Sequence, residues 1–409
     1  MLKTLEEQRL FTNRDLFGLF LPLIIEQGLE YTVGMAASMM VAQVGEAAVS
    51  GVSLVDFIMA LIISIFAALA TGGAVIAGQY LGRNERVNAK IAANQLVKFS
   101  LLLSIIITIL LYLFKPLILK YLFGTISEGV SIAANQYFVI AAMSVPFLAL
   151  YNAGAAIFRT MGNAKLPMQI MLAMNILNVT GNAILVSGLH MGVAGVAIPT
   201  LISRIGAALI IMYLAHKKEC DLRITNFMID KFDKVMIKRI LSIGAPFGFE
   251  NGMFYLGRLI VLSIVSIFGT ASIAANSVAG TIVMFEVLPG MAMNLGLSVI
   301  IARCVGAGDF EQAKYYKRKV RIIIHIGFMI SSTIVLLVMP LIMKVYSLPM
   351  IISILSMIFC RIALSYVFAI GLNMGMLGTW AAMFVDWIVK TVVYEIHYKS
   401  NKRTRYQTI

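Results

Sequence analysis

The sequence predicts an all-α polytopic membrane protein of two parallel-related six-helix lobes, the second shortened to five helices. Three observations predict it. The 409 residues are 60% hydrophobic and only 13% charged, with a mean hydropathy of +0.91, a balance foreign to soluble domains. The chain also repeats itself. Displaced by 224 positions, Pro22 and Glu26 fall on Pro246 and Glu250, and Gly28, Tyr31, Gly45, Gly72, Gly82 and Ala89 fall on Gly252, Tyr255, Gly269, Gly296, Gly306 and Ala313, with no gap from Pro22 to Lys90. Finally, the basic residues gather in alternate loops.

A helix needs about 20 apolar residues to cross the hydrocarbon layer. Such runs lie at 15–42, 51–79, 94–115, 131–158, 168–188 and 194–215 in the first half. In the second half they lie at 240–267, 273–301, 322–345, 350–371 and 378–397. Strand-like alternation is absent, which excludes a barrel. Lys3, Arg9 and Arg14 precede the first span, Arg83, Arg86 and Lys90 follow the second, and Arg159 and Lys165 follow the fourth. A connector running from Lys217 to Arg239 follows the sixth, and a basic loop from Arg303 to Arg321 follows the eighth. Loops 43–50 and 189–193 carry no Lys or Arg. This asymmetry predicts a cytoplasmic N-terminus in the cell membrane, and it explains the net charge of +14 without nucleic acid. An even number of spans separates the copies, so they run parallel about an axis along the membrane normal. The expected organisation is a lobe at 14–218, a basic connector at 219–239, a second lobe at 240–398 and a basic tail at 399–409.

The repeat has a gap. The displacement of 224 holds to Pro116/Pro340 and Lys120/Lys344; then Leu166-Pro167-Met168 matches Leu348-Pro349-Met350, a displacement of 182. The 42 residues lost, Gly124–Lys165, contain the whole fourth span, of which the second half has no copy. The last two spans would then leave Lys399, Lys402, Arg403 and Arg405 outside, against the charge rule, unless 350–371 fails to cross, crosses inverted, or the chain is a damaged or shortened version of a twelve-helix protein. Arg361, midway along that run, makes its crossing costlier.

Several function classes drop out. Cys220, Cys304 and Cys360 lack CxxC spacing and read as unpaired thiols. His190, His216, His325 and His397 are scattered. No nucleophile–base constellation or metal motif suggests an enzyme, and there is no Walker A loop for ATP. The first apolar run is too long for the core of a cleavable signal peptide.

Charges inside apolar helices are expensive and functional by default. Glu250 is therefore the first candidate for ion coupling, and Glu26 is its repeat mate. Glu30 lies one turn beyond Glu26 on the same face, so that the two can share a proton or an ion. A packing contact inherited by both copies is the bland alternative. Glu286 precedes Pro289-Gly290, where a broken helix would free carbonyls toward a cavity; otherwise it is a hydrogen-bonded kink residue. Asn178 and Asn182 share one helix face and, with Thr200, offer neutral oxygens to substrate or to neighbouring helices. Tyr31 and Tyr255, each five positions after a repeated acid, are candidates to line a cavity for a cation, against ordinary packing.

These features converge on a resemblance. Gly78-Gln79-Tyr80-Leu81-Gly82 and Val305-Gly306-Ala307-Gly308-Asp309-Phe310-Glu311-Gln312-Ala313 form paired loop motifs. With Arg159-Thr160-Met161-Gly162-Asn163-Ala164-Lys165, Gly192-Val193-Ala194-Gly195-Val196-Ala197 and Gly244-Ala245-Pro246-Phe247-Gly248-Phe249-Glu250-Asn251, they resemble the multidrug and toxic compound extrusion (MATE) family, apart from the helix equivalent to helix ten. The resemblance implies a two-lobed antiporter that exchanges Na⁺ or H⁺ for an amphipathic organic cation. It implies a coupling or substrate role for the acid on helix seven, here Glu250. Some members use two first-lobe aspartates, where this chain has Ala37 and Asn182; the helix-ten aspartate falls in the missing segment. Coupling is then expected to rest on Glu250 with Glu26 and Glu30. No cofactor is expected, Na⁺ at Glu250 being the one candidate metal. The expected partners are organic cations, Na⁺ or H⁺ and membrane lipids, but no nucleic acid, and the chain is expected to be monomeric. Two other readings stand beside this one: a related lipid-precursor flippase, for which Arg204 and Arg258 speak, and a shortened paralogue that no longer transports.

Overall fold

The computed structural model describes residues 9–123, 128–225, 231–266 and 270–343. Beyond these it describes 359, 363–368, 374, 378, 381–386, 388, 389 and 392. The helices in order are α1 (Asn13–Ala42), α2 (Glu46–Gly82), α3 (Arg86–Phe123), α4 (Glu128–Met143), α5 (Val145–Thr160) and α6 (Lys165–Asn182). They continue with α7 (Ala194–His216), α8 (Lys234–Ser266), α9 (Thr270–Gly306) and α10 (Phe310–Met343). No strand occurs among the described residues. Six of the described helices are long and apolar enough to span a membrane, or seven if α4 and α5 make one span. The protein is thus a multi-pass helical membrane protein. The expected spans at 350–371 and 378–397, Arg361 and the basic tail lie outside the described residues apart from scattered positions such as Leu364–Tyr366.

Two compact units divide the chain. One is Met1–Met253 with Leu288–His325; the other is Phe254–Val287 with Ile326–Ile409. Within the first unit, α2 is the central helix, packing on α3, α4 and α5, while α1 packs on α6 and α7 on α5 and α6. Val55, Phe66, Leu96, Phe138, Ile157 and Ile211 anchor its main core. A second cluster gathers Leu23, Ile300, Tyr316 and Val320.

The expected fourth span at 131–158 is broken. Pro146 has no N–H for the carbonyl one turn earlier, so the helix bends. The result is a 44° angle between α4 and α5 with Ser144 at the break. After Asn182, α6 runs into a π-helical turn, Ala183–Gly188. The connector is anchored on α3: Asn94 exchanges hydrogen bonds with Thr225 (3.1 and 3.3 Å), and Leu222 and Ile224 are buried.

The repeat read from the sequence is also visible in the backbone. Asn84 and its mate Gly308 both adopt positive φ, 61° and 76°. Each ends its helix with the same bond, from Glu85 N to the Tyr80 carbonyl (2.9 Å) and from Asp309 N to the Cys304 carbonyl (3.0 Å). The copies also meet symmetrically. A Cβ on Gly82 would lie 2.1 Å from the carbonyl oxygen of Arg303, and one on Gly306 would lie 2.1 Å from that of Gln79, the repeat mate of Arg303. One on Gly78 would meet the Cβ of its own mate, Ala302, at 3.0 Å. Two helices touch through equivalent residues in this reciprocal way only about a two-fold axis. The local axis therefore runs between the ends of α2 and α9, where glycine alone permits such an approach. The outer crossings follow the same rule: Gly72 of α2 meets Gly244 of α8, and Gly296 of α9 meets Phe20 of α1, the mate of Gly244.

Candidate functional site

Glu26 lies midway along α1 and is 1% exposed. A bare carboxylate there would be prohibitive, and the fold supplies a partner. Arg159, in the last turn of α5, turns inward with its side chain 13% exposed and forms an ion pair through Nη2 with Glu26 Oε1. The Tyr151 hydroxyl, two turns earlier on α5, contacts the same oxygen at 3.3 Å and the Pro167 carbonyl at 3.2 Å. Glu26 Oε2 is buried with no hydrogen-bond partner among the described residues. Arg159 was read as a loop charge. The structure corrects this, because its side chain points back into the bundle.

Glu30 is exposed and accepts a bond from Gln27 Nε2 at 3.2 Å. It feels the charges of Glu26, Arg159 and Arg204. Arg204 of α7 donates from Nη1 to Ser144 Oγ at the break in the fourth span (2.6 Å) and interacts electrostatically with Asp56, Tyr137 and Glu30. Asp56 of α2, itself exposed, accepts from the Tyr137 hydroxyl at 2.8 Å. The first lobe thus gathers three carboxylates (Glu26, Glu30 and Asp56) against two guanidinium groups (Arg159 and Arg204), a surplus of one negative charge. Asp56 was missed in the sequence because its repeat mate is Gly280. The signal available was a lone acid in an apolar run.

Asn178, Asn182 and Thr200 do come together. Asn182 Nδ2 donates to Asn178 Oδ1 (3.0 Å), and Asn178 Nδ2 donates to Thr200 Oγ1 (2.9 Å). Asn182 is fully buried. The Asn178–Thr200 bond ties α6 to α7, as interhelical polar groups in lipid do, while Asn182 Oδ1 is buried without a hydrogen-bond partner among the described residues. Glu286 is buried and accepts from the Ser332 hydroxyl of α10. Of the two readings of Glu286, the broken helix is not seen, since α9 runs through Pro289 and Gly290, and the hydrogen-bonded residue is. The Tyr31 hydroxyl meets Met291 Sδ at 3.5 Å, and Tyr255 packs edge-on against Phe254.

Glu250 differs from its mate. It is exposed on α8, and among the described residues no hydrogen-bond or ion-pair partner meets it. The missing segment explains the contrast. Tyr137, Ser144, Tyr151 and Arg159 all lie within Gly124–Lys165, the stretch with no copy in the second half. Whatever this unduplicated segment does to neutralise Glu26 therefore has no counterpart for Glu250.

The family model for MatE matches residues 22–184 and 246–381. The chain belongs to the MatE family. Its members are transporters and not enzymes. It is 29% identical over 303 residues to the uncharacterized transporter YisQ of Bacillus subtilis, covering 73% of this chain and 66% of that one. It is 22% identical over 440 residues to the probable multidrug resistance protein NorM of Thermotoga maritima, covering 95% and 93%. The match to YisQ thus spans just under two thirds of that relative's length. The Vibrio cholerae MATE transporter VcmN, solved as a point mutant, shares the fold with a TM-score of 0.77 and 17% identity over 96% of this chain and 97% of that one.

Proposed function

We propose that this MatE protein is an ion-coupled antiporter that exports amphipathic organic cations by alternating access. The observation that carries the reading is the unequal treatment of the repeated acid. Glu26 is neutralised by Arg159, whereas Glu250 stands exposed on a helix of the other copy with no partner among the described residues. An uncompensated carboxylate in a membrane-spanning helix attracts a proton, Na⁺ or an organic cation, and occupation by one opposes the others. Such competition is the elementary requirement for exchange. The surplus negative charge around Glu30 and Asp56 offers cationic cargo a second foothold, and the Asn178–Thr200 bond ties α6 to α7.

A flippase for anionic lipid precursors fits less well, since one first-lobe arginine is occupied by Glu26 and acids outnumber arginines there. The side chain of Arg258 lies outside the described residues. The basic loops favour a cytoplasmic N-terminus in the cell membrane, and the transporter acts as a monomer.

The test is gradient-driven uptake of tetraphenylphosphonium into proteoliposomes, with a Na⁺ or a pH gradient imposed separately. One gradient should drive uptake by the native protein but not by Glu250→Gln. Equal behaviour of the two proteins under both gradients would refute the role of Glu250. No uptake at all would favour the non-transporting paralogue.

A further inference from the structure

A cavity of about 390 Å³ opens between the end of α2 and the start of α8. Its polar wall is Gln79, Tyr80, Arg83, Arg239 and Ser242, and two isoleucines close its apolar side. Among the described residues no acid lines it and neither arginine forms an ion pair. Tyr80 is 8% exposed, and its hydroxyl takes a hydrogen bond from Arg239 Nη1. That bond fixes the guanidinium and leaves its other N–H groups for a ligand. Arg83 is the residue that caps α2, and Arg239 lies in the second turn of α8. Both therefore sit where apolar helix meets basic loop, at head-group depth.

The duplication supplies an internal control. The equivalent place in the other copy keeps the apolar wall, with Ile300 and Leu19 for Ile76 and Ile243. Its polar wall differs: Ala307 stands for Arg83, Asp15 for Arg239, Cys304 for Tyr80 and Gly18 for Ser242, while Arg303 stands for Gln79. The other copy is therefore packed without arginines at the places of Arg83 and Arg239, and the pairing of two arginines there is particular to this cavity.

We infer that this cavity binds a phosphate-bearing anion, either the phosphodiester of an anionic membrane lipid or a free phosphate. Two guanidinium groups with a hydroxyl and an amide match tetrahedral phosphate oxygens, and basic pockets between helices at the membrane boundary take lipid head groups. The ligand would brace α2 of the first copy against α8 of the second, beside the Gly72–Gly244 crossing.

The test is thermal melting of the full-length protein in detergent, titrated with phosphatidylglycerol, phosphatidylcholine or inorganic phosphate. It is run on the native protein, on R83Q/R239Q and on S242E, which places a carboxylate in the cavity and leaves both arginines in place. Phosphatidylglycerol should raise the melting temperature of the native protein, phosphatidylcholine should not, and both variants should bind it about tenfold or more weakly. A matching response to inorganic phosphate, lost in both variants, would identify a free anion as the ligand. If the native protein and both variants respond alike to every additive, or the native protein responds to none, the site does not exist.

Discussion

At the residue scale, Arg159 decides how the first lobe handles its most deeply buried charge. Its removal strands a carboxylate that is 1% exposed, and breaking a buried pair costs about 3–5 kcal/mol. Arg159→Gln should therefore melt well below the native protein in detergent. Adding Glu26→Gln should recover most of the loss, because two neutral side chains leave no stranded charge. Equal melting of the single and double variants would contradict the pairing. Cys220 gives a second test outside the membrane. Burial pushes its thiol up from the ordinary cysteine range, so less thiolate is present near neutral pH. With Cys304 and Cys360 replaced by serine, maleimide should label Cys220 more slowly than an unhindered thiol at about pH 7.5. The rate should keep rising into the alkaline range; one like that of a free thiol throughout would contradict the burial.

Among the elements, α2 and α9 bear the demand for closeness. At Gly82 and Gly306 a methyl group would meet a backbone carbonyl at 2.1 Å, and backbone cannot move aside as a flexible side chain can. Gly82→Ala and Gly306→Ala should each cost at or beyond the top of the usual range for overpacking, about 1–3 kcal/mol. Gly34 in α1 has nothing within 4 Å of its would-be Cβ. Gly34→Ala should leave stability unchanged or raise it by about 0.5–1 kcal/mol. Melting temperatures and expression levels of the three variants, compared side by side, check this. Equal penalties at Gly82 and Gly306 are what the two-fold contact requires.

Over the whole molecule, the pattern of spans was legible because a bilayer reduces helix recognition to length and apolarity, and the duplication was legible because two copies confirm one another. Both the MATE resemblance and the parallel repeats rested on those signals. What stayed hidden belongs to the part with no copy. The inward turn of Arg159 is a side-chain choice made by tertiary packing, and the charge rule for loops read it the other way. Asp56 faces a glycine across the repeat and left no paired signal. The bond between Glu286 and Ser332 likewise depends on which faces α9 and α10 present to each other, which periodicity does not specify. The lack of a second copy of one span thus accounts for the central asymmetry: one acid neutralised, its mate without a partner among the described residues. That asymmetry is tested most directly by ethidium efflux from cells expressing the chain, beside Glu250→Gln and a version with the 42 residues of Gly124–Lys165 copied into the second half. Efflux by the native chain that Glu250→Gln abolishes is the predicted result, with the copied segment reducing it by supplying Glu250 with its own arginine. Efflux that survives Glu250→Gln, or that appears only once the segment is restored, would contradict it.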